Sequence, residues 1–205
     1  MLKKILFGLL AVIVLAALGG FLYPSKLHIE KSMMIHGNHD VVQAQLVNFK
    51  NFNSWSPWAK LDPETKYEYS DQQGVEGATM SWSSEDSHVG SGKMVLTKVG
   101  DNEILYETSF EGWSAASPCG YKIAEVDGGT EVVWFMDMDF GLNPIYRYMG
   151  AFMMEEAILK DYEQGLVNLN AVVEKKMEAE MKMLEAELAD VSSSEDAEVV
   201  EESVN

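Results

Sequence analysis

Four histidines (His28, His36, His39 and His88) and the single cysteine, Cys119, are the side chains best suited to nucleophilic or metal chemistry. No two of the histidines have the i, i+4 spacing that would place two zinc ligands on one helix face. A lone cysteine excludes thiolate-rich zinc sites, iron–sulfur clusters and an intramolecular disulfide. We therefore expect no catalytic residue, no metal site and no cofactor from this set.

Acidic side chains are the second possible source of chemistry. Asp137 and Asp139 alternate with methionines in a strand pattern, so both are expected to face solvent. Glu156 lies beside the apolar stripe of a predicted helix, where partial burial would raise its pKa and suit it to acid–base catalysis. A glutamate that points to solvent at the edge of the stripe is the alternative. No motif here defines an enzyme, and the sequence favours a protein that is not one.

Charge and composition exclude one class of function. The 205 residues contain 15 Lys and Arg against 33 Asp and Glu, which gives a formal net charge of -18. Binding to a phosphate backbone requires cationic groups that displace counterions, so we expect no nucleic-acid partner. Hydrophobic residues make up 47% of the chain, which is enough for a sizeable core and excludes global disorder.

An uncharged apolar run covers residues 5–23 and is long enough to cross a membrane. Nineteen helical residues rise about 28 Å, close to the roughly 30 Å hydrocarbon core. The alternative is a cleaved signal sequence, which has a shorter apolar stretch and a small-x-small cleavage site. The segment Ala17-Leu18-Gly19 matches such a site poorly. The sequence therefore predicts an uncleaved N-terminal anchor over residues 1–24.

The lysines that flank this run predict its orientation. Lys3 and Lys4 precede the run and favour a cytoplasmic N-terminus. We thus expect a single-pass membrane protein whose domain lies outside the cytoplasmic membrane. Lys26 and Lys31 follow the run and weaken the asymmetry on which this prediction depends.

The remaining elements follow one another in an order typical of a single domain. Alternating apolar residues predict a strand over residues 26–36, and a short helical region follows it. Six more candidate strands are separated by short turns, which indicates an antiparallel meander. Asn143-Pro144 then opens a long helix. This order predicts an α+β fold in which a seven-stranded antiparallel sheet wraps around a long C-terminal helix. The domain would span residues 25–175, and residues 176–205 would form a helix extension and an acidic disordered tail.

Four segments in this region resemble those of a known family. They are Trp55-Ser56-Pro57-Trp58 followed by Leu61-Asp62-Pro63, Gly74-Val75-Glu76-Gly77-Ala78 with Ser81-Trp82, Gly128-Gly129-Thr130 before Val133-Trp134, and Asp161-Tyr162-Glu163-Gln164-Gly165-Leu166 with Leu169. Over roughly residues 26–175 the chain is similar to the START-like (SRPBCC) superfamily, and most of all to its polyketide cyclase/dehydrase and lipid-transport members. The resemblance implies a helix-grip fold with a hydrophobic cavity between the sheet and the final helix. It does not imply one activity, because relatives bind lipids, sterols or polyketides and a minority are enzymes.

Strand alternation and helical periodicity select the side chains that would line such a cavity. The candidates are Trp82, Met94, Tyr106, Phe110, Trp134, Met136 and Met138 on the strands, and Tyr146, Met149 and Met153 on the helix. Flexible, polarizable methionines suit irregular apolar surfaces. Trp55 and Trp58 are candidates for the cavity mouth. For each of these residues, ordinary packing in the core is the alternative.

Three functions fit these observations. The leading hypothesis is a membrane-anchored binding module that holds a hydrophobic small molecule or lipid between the sheet and the C-terminal helix. The second is a partner-binding or scaffold protein that uses the helix extension at residues 175–189, with Met177, Met181, Leu184 and Leu188 as its apolar contacts. The third is a polyketide cyclase-like enzyme, which would require two polar groups that converge inside the cavity.

Overall fold

One seven-stranded antiparallel sheet forms the body of the protein. The structure is a computed structural model that describes residues 2–113 and 115–202, apart from the side chains of residues 2, 16 and 189–202. The strands are β1 (Lys26–Ile35), β2 (Lys66–Tyr69), β3 (Thr79–Ser83), β4 (Ser91–Val99), β5 (Glu103–Phe110), β6 (Ser117–Val126) and β7 (Gly129–Asp139). Their spatial order is β1-β7-β6-β5-β4-β3-β2, so the first strand pairs with the last. The predicted α+β architecture is confirmed.

The helices lie before, within and after this sheet. They are α1 (Leu2–Gly20), α2 (His39–Val47), α3 (Phe49–Trp55), α4 (Pro144–Met149) and α5 (Glu155–Glu202), with a short 3-10 turn at Trp58–Lys60. A π turn at Gly150–Met154 joins α4 to α5. The Asn143 side chain accepts a hydrogen bond from the backbone N–H of Ile145, and Pro144 takes the first helical position, as the sequence predicts.

The core lies between one face of the sheet and helices α2, α3 and α5. Helix α5 contributes four fully buried side chains, namely Tyr162, Leu166, Leu169 and Val173. Gly165 sits in the same stripe, where a Cβ atom would come within 2.6 Å of the Trp134 ring. Helix and sheet are therefore in close contact at this level, which explains a glycine inside a helix despite its cost of about 1 kcal/mol relative to alanine.

The last part of α5 extends beyond the sheet. The segment predicted as a disordered tail is helical as far as Glu202, and residues 203–205 lie outside the described residues. Glu, Ala, Met and Leu are strong helix formers and dominate this extension. Lys182 also donates to Glu178 over 2.6 Å, one turn earlier. Met181, Leu184 and Leu188 are exposed, whereas Met177 still packs against the core.

Helix α1 stands apart from the core, and its apolar side chains are exposed. Among the described residues, Lys3–Gly20 is the one stretch of helix long and apolar enough to cross a membrane by length and composition. Its C-terminal end meets α4, because the backbone of Gly20 lies against Pro144.

Candidate ligand-binding site

The seven candidate residues on the strands lie on one face of the sheet, the face that packs against the helices. The register places Cys119 opposite both Tyr106 and Met136. Gly92 likewise lies opposite both Trp82 and Phe110. This surface also carries Met94, Trp134 and Met138, because each lies two residues from one of these positions on its own strand. We call it the inner face. Period-2 alternation was sufficient to identify its members.

Aromatic rings fill the half of the inner face that lies under α5. The Trp134 ring stacks on Tyr162 with centroids 4.1 Å apart and planes 7° apart. Trp55 lies edge-on to Trp134 at 5.4 Å, and Trp58 does so at 5.7 Å. Tyr121 completes the group at 5.5 Å from Trp134. This half of the inner face is packed as core.

The two tryptophans predicted at a cavity mouth therefore have different positions. Trp55 is fully buried, and its indole N–H donates to the carbonyl of Gln45 over 3.4 Å, so it lies in the core and not at a mouth. Trp58 is partly exposed and donates to Asp161 over 3.0 Å. Burial raises the pKa of Asp161, even though this hydrogen bond acts in the opposite direction.

The other half of the inner face is only partly covered. Trp82, Met94 and Phe110 are apolar but keep intermediate exposure. On the helical side, Met154 and Ile158 are also partly buried and pack against the same core. Under α5 the inner face is therefore a filled core, and toward α4 it becomes an incompletely covered apolar surface.

A row of rings marks the edge of this partly covered region. The rings of Trp82 and Phe110 are 5.9 Å apart, and those of Phe110 and Trp113 are 6.3 Å apart. Trp113 then stacks on Tyr146 of α4 at 4.7 Å with planes 9° apart. We call these four residues the rim. Trp113 could not be identified from the sequence, because it lies in a loop and its partner on α4 is distant in sequence.

The helical candidates are only partly placed as predicted. Tyr146 belongs to the rim, and Met149 keeps intermediate exposure. Met153 is 66% exposed and lies on the outer side of the helix, so its predicted place in a cavity lining is wrong. Met154 packs against the core instead. Nine residues, or two and a half turns of a regular helix, separate Met153 from the buried Tyr162, so the helical period itself places Met153 opposite the buried stripe.

Few polar groups reach the inner face, and most of them have partners. The Tyr106 hydroxyl donates to the backbone carbonyl of Leu46. Thr108 Oγ1 and Cys119 Sγ lie 3.1 Å apart. Burial raises the pKa of the Cys119 thiol to about 12 and keeps it protonated near neutral pH. The interior of the site is thus electrically neutral.

Two buried side-chain atoms are the exceptions, because the Gln45 Oε1 and the Tyr162 hydroxyl have no hydrogen-bond partner among the described residues. Burial raises the pKa of Tyr162 well above the ordinary value, so its hydroxyl remains a neutral donor. Tyr162 belongs to the helix segment that carries the family resemblance, but its periodicity indicated only a packing role. An unused donor in apolar surroundings is suited to one hydrogen bond with a ligand acceptor.

The groups considered for acid–base chemistry face solvent. Glu156 is exposed and accepts a hydrogen bond from Lys160 over 2.7 Å, which lowers its pKa. Asp137 and Asp139 are on the outer face of the sheet, and Asp137 pairs with His28 at 2.8 Å. Among the side chains that the structure describes, no group of three from His, Cys, Asp or Glu is placed to hold a metal ion.

The fold and the apolar inner face define a START-like protein with the helix-grip arrangement. Residues 26–174 match the family described as polyketide cyclase / dehydrase and lipid transport, and the chain belongs to that family. No curated protein matches the sequence significantly.

Solved structures with the same fold come from several bacteria. Protein SA2116 of Staphylococcus aureus, described as of unknown function, has a TM-score of 0.55 at 10% identity over 75% of this chain and 96% of its own. Protein CV1439 of Chromobacterium violaceum has a TM-score of 0.51 at 16% identity over 72% and 98%. Protein Ms6760 of Mycobacterium smegmatis has a TM-score of 0.51 at 13% identity over 73% and 92%. At these identities the likeness concerns the fold alone.

Proposed function

We propose that this protein is a membrane-anchored binding module that holds a hydrophobic small molecule or lipid between the inner face and the helices α4 and α5. The observation that carries the proposal is the partly covered apolar surface beside the rim, where Trp82, Met94 and Phe110 retain contact with water. Membership of a family that includes lipid-transport proteins supports the same class of ligand.

The physical driving force is the removal of this surface from water. Each Å² of apolar surface buried by a ligand contributes about 25 cal/mol, before the costs of association are subtracted. Because the interior is neutral, a fully ionised group would have to remain at the rim or outside it. The hydroxyl of Tyr162 favours a ligand that carries a carbonyl, hydroxyl or carboxylic acid oxygen.

The anchor is the second part of the proposal. Helix α1 would cross the bilayer, with Lys3 and Lys4 on the cytoplasmic side and the domain outside. A binding module held in this way would exchange an apolar ligand with the bilayer at its own surface, where such ligands are concentrated.

Photo-crosslinking of the full-length protein in nanodiscs tests the binding site. The probe is palmitic acid with a diazirine in its chain, and mass spectrometry maps the labelled peptides. Labelling of α1 reports fatty acid in the bilayer and serves as an internal reference. We expect additional labels on strands β3 to β5. Filling the site with Met94→Trp should reduce these labels by about tenfold and leave the α1 labels unchanged.

The control variant is Met34→Trp, which introduces the same ring at an exposed position on β1. It should not change the labelling of β3 to β5. Labels confined to α1, or labels on β3 to β5 that persist in Met94→Trp, would refute the proposed site.

A partner-binding role for the α5 extension is the second candidate. The observation that favours it is the exposure of Met181, Leu184 and Leu188 at spacings of three and four residues. A lysine-specific cross-linker applied to the full-length protein in nanodiscs should give a dimer if two copies associate here. Leu184→Glu should abolish the dimer, whereas Glu185→Gln should not. If the cross-linker gives only monomer for the wild type and for both variants, association of two copies through this helix is refuted.

A further inference from the structure

The turn before α4, helix α4 itself and the π turn expose apolar side chains to solvent. Leu142, Ile145, Phe152 and Met153 are each at least 65% exposed. We call these four residues the outer apolar face. Large apolar side chains that are exposed singly are ordinary, but four on one short segment indicate an interaction surface.

This outer apolar face lies beside the end of α1. A Cβ atom on Gly20 would come within 2.5 Å of the Pro144 Cβ, and one on Gly19 would come within 2.6 Å of the Tyr148 hydroxyl. The Tyr23 ring contacts Phe152, with centroids 5.1 Å apart. The exposed apolar surface of α1 therefore continues directly onto α4.

The connection to the sheet keeps the domain close to this point. Only residues 21–25 separate α1 from β1, and five extended residues span at most about 18 Å. Two of them, Phe21 and Leu22, are themselves exposed. Because Gly20, the last residue of α1, lies against Pro144, a bilayer crossed by α1 ends close to α4.

The side chains at this junction are typical of a membrane interface. Trp and Tyr are enriched at the level of the lipid head groups, and here Tyr23 and Tyr148 lie together against Phe152. The guanidinium of Arg147 lies over the Phe21 ring at 5.1 Å and donates to the carbonyl of Tyr23 over 3.3 Å. Because the chain has a net charge of -18, attraction to anionic lipids cannot be the main source of affinity.

We propose that the outer apolar face is embedded in the head-group region of the bilayer that α1 crosses, so that the domain rests on the membrane in one orientation. This inference depends on the anchor in the proposed function. The occupant of the surface is the bilayer itself, and an uncharged bilayer is sufficient. The rim, through Tyr146 on the same helix, would then lie next to the lipid, which shortens the path of an apolar ligand into the site.

Site-specific fluorescence in nanodiscs tests the orientation. Single cysteines are introduced as Ile145→Cys or Met153→Cys, and the environment-sensitive fluorophore NBD is attached to them. The native Cys119 is buried and remains unlabelled in the folded protein. The nanodiscs contain phosphatidylcholine, a fraction of which carries a quenching nitroxide at carbon 5 of one acyl chain. We expect the nitroxide to reduce the emission at both positions at least twofold.

Two further variants separate the possible outcomes. Met34→Cys is an exposed control at the far end of β1, about 26 Å along the strand from Lys26, and should show no quenching. Val12→Cys lies in α1 and reports whether the anchor is inserted. Quenching at Val12→Cys without quenching at Ile145→Cys and Met153→Cys would overturn the proposed orientation and leave the anchor intact. No quenching at Val12→Cys would overturn the anchor and the orientation together.

Discussion

Replacing Tyr162 by phenylalanine removes a buried hydroxyl of α5 that has no hydrogen-bond partner among the described residues. If this hydroxyl serves to bind a ligand, then the ligand-free protein loses no stability when the oxygen atom is removed. The Tyr162→Phe variant should therefore be more stable than the wild type, although it binds its ligand less well. A residue that serves only the fold would not give this combination.

The magnitude follows from the cost of burying an unpaired polar group. An unsatisfied hydroxyl in an apolar interior costs about 1–3 kcal/mol. The packing contacts of the oxygen atom offset part of this cost. We expect Tyr162→Phe to raise the free energy of unfolding by about 1 kcal/mol, equivalent to about 2–4 °C in Tm for a domain of this size. Loss of one hydrogen bond should reduce the affinity for an oxygen-bearing ligand by about fivefold to tenfold.

Tyr106→Phe is the matched comparison. It removes the same oxygen from another fully buried tyrosine, but this hydroxyl donates to the Leu46 carbonyl. We expect Tyr106→Phe to lower the free energy of unfolding by about 1–2 kcal/mol, the opposite sign. Thermal unfolding in nanodiscs, followed by near-ultraviolet circular dichroism, measures both variants, and the yield of diazirine crosslinks measures binding. If both variants lose stability, the Tyr162 hydroxyl is already satisfied and the argument for a ligand contact fails.

Three other predictions concern the sheet and its packing. Gly165→Ala should lower Tm, although alanine is the better helix former, because its Cβ atom would come within 2.6 Å of the Trp134 ring; an unchanged Tm would contradict the close contact. Hydrogen bonds to Asp137 and then to Glu30 raise the pKa of His28 above its ordinary value of 6.5, so their stabilisation is complete below about pH 6.5 and is lost as the pH rises through the folded-state pKa. The variant His28→Gln should therefore have a lower Tm than the wild type at pH 5.5 and an equal Tm at pH 8.5, and a difference that grows with pH would refute this linkage. Cys119, whose thiol pKa is raised to about 12 by burial, should react with iodoacetamide at pH 8 only after unfolding, and rapid alkylation of the native protein would show that it is accessible.

The inner face of the sheet could be predicted from sequence because strand geometry has a fixed period of two. Once Trp134, Met136 and Met138 are assigned to a strand, their side chains must share a face, whatever the rest of the fold does. Antiparallel pairing then extends that face to Tyr106 and Met94 on neighbouring strands. A shift of one residue in the assignment would have moved the whole set to the other face of the sheet. The polar residues that alternate with the apolar ones excluded such a shift.

The N-terminal part of the C-terminal helix could not be predicted in the same way. A period of 3.6 extrapolated from Tyr162 and Leu166 places Phe152 and Ile145 on the apolar stripe, but both are exposed. The π turn at Gly150–Met154 interrupts this period, and nothing local in the sequence signals it. A Cβ atom on Gly150 would clash with the Phe140 ring, so the turn also brings the helix close to the end of β7.

The position of a ligand follows from where the helix and the sheet already touch. At the level of Gly165, the stacked rings of Trp134 and Tyr162 occupy the space between them, so a ligand cannot lie there without displacing the core. Toward α4 the contacts are looser, and Met94 and Met154 supply flexible side chains that can adapt to an irregular apolar shape. The Tyr162 hydroxyl belongs to the packed stack, and the rim lies toward α4. A ligand with one polar oxygen should therefore lie on the α4 side of this stack, with its oxygen directed at the Tyr162 hydroxyl and its apolar part toward the rim. A diazirine placed at either end of the probe can distinguish this orientation from the reverse.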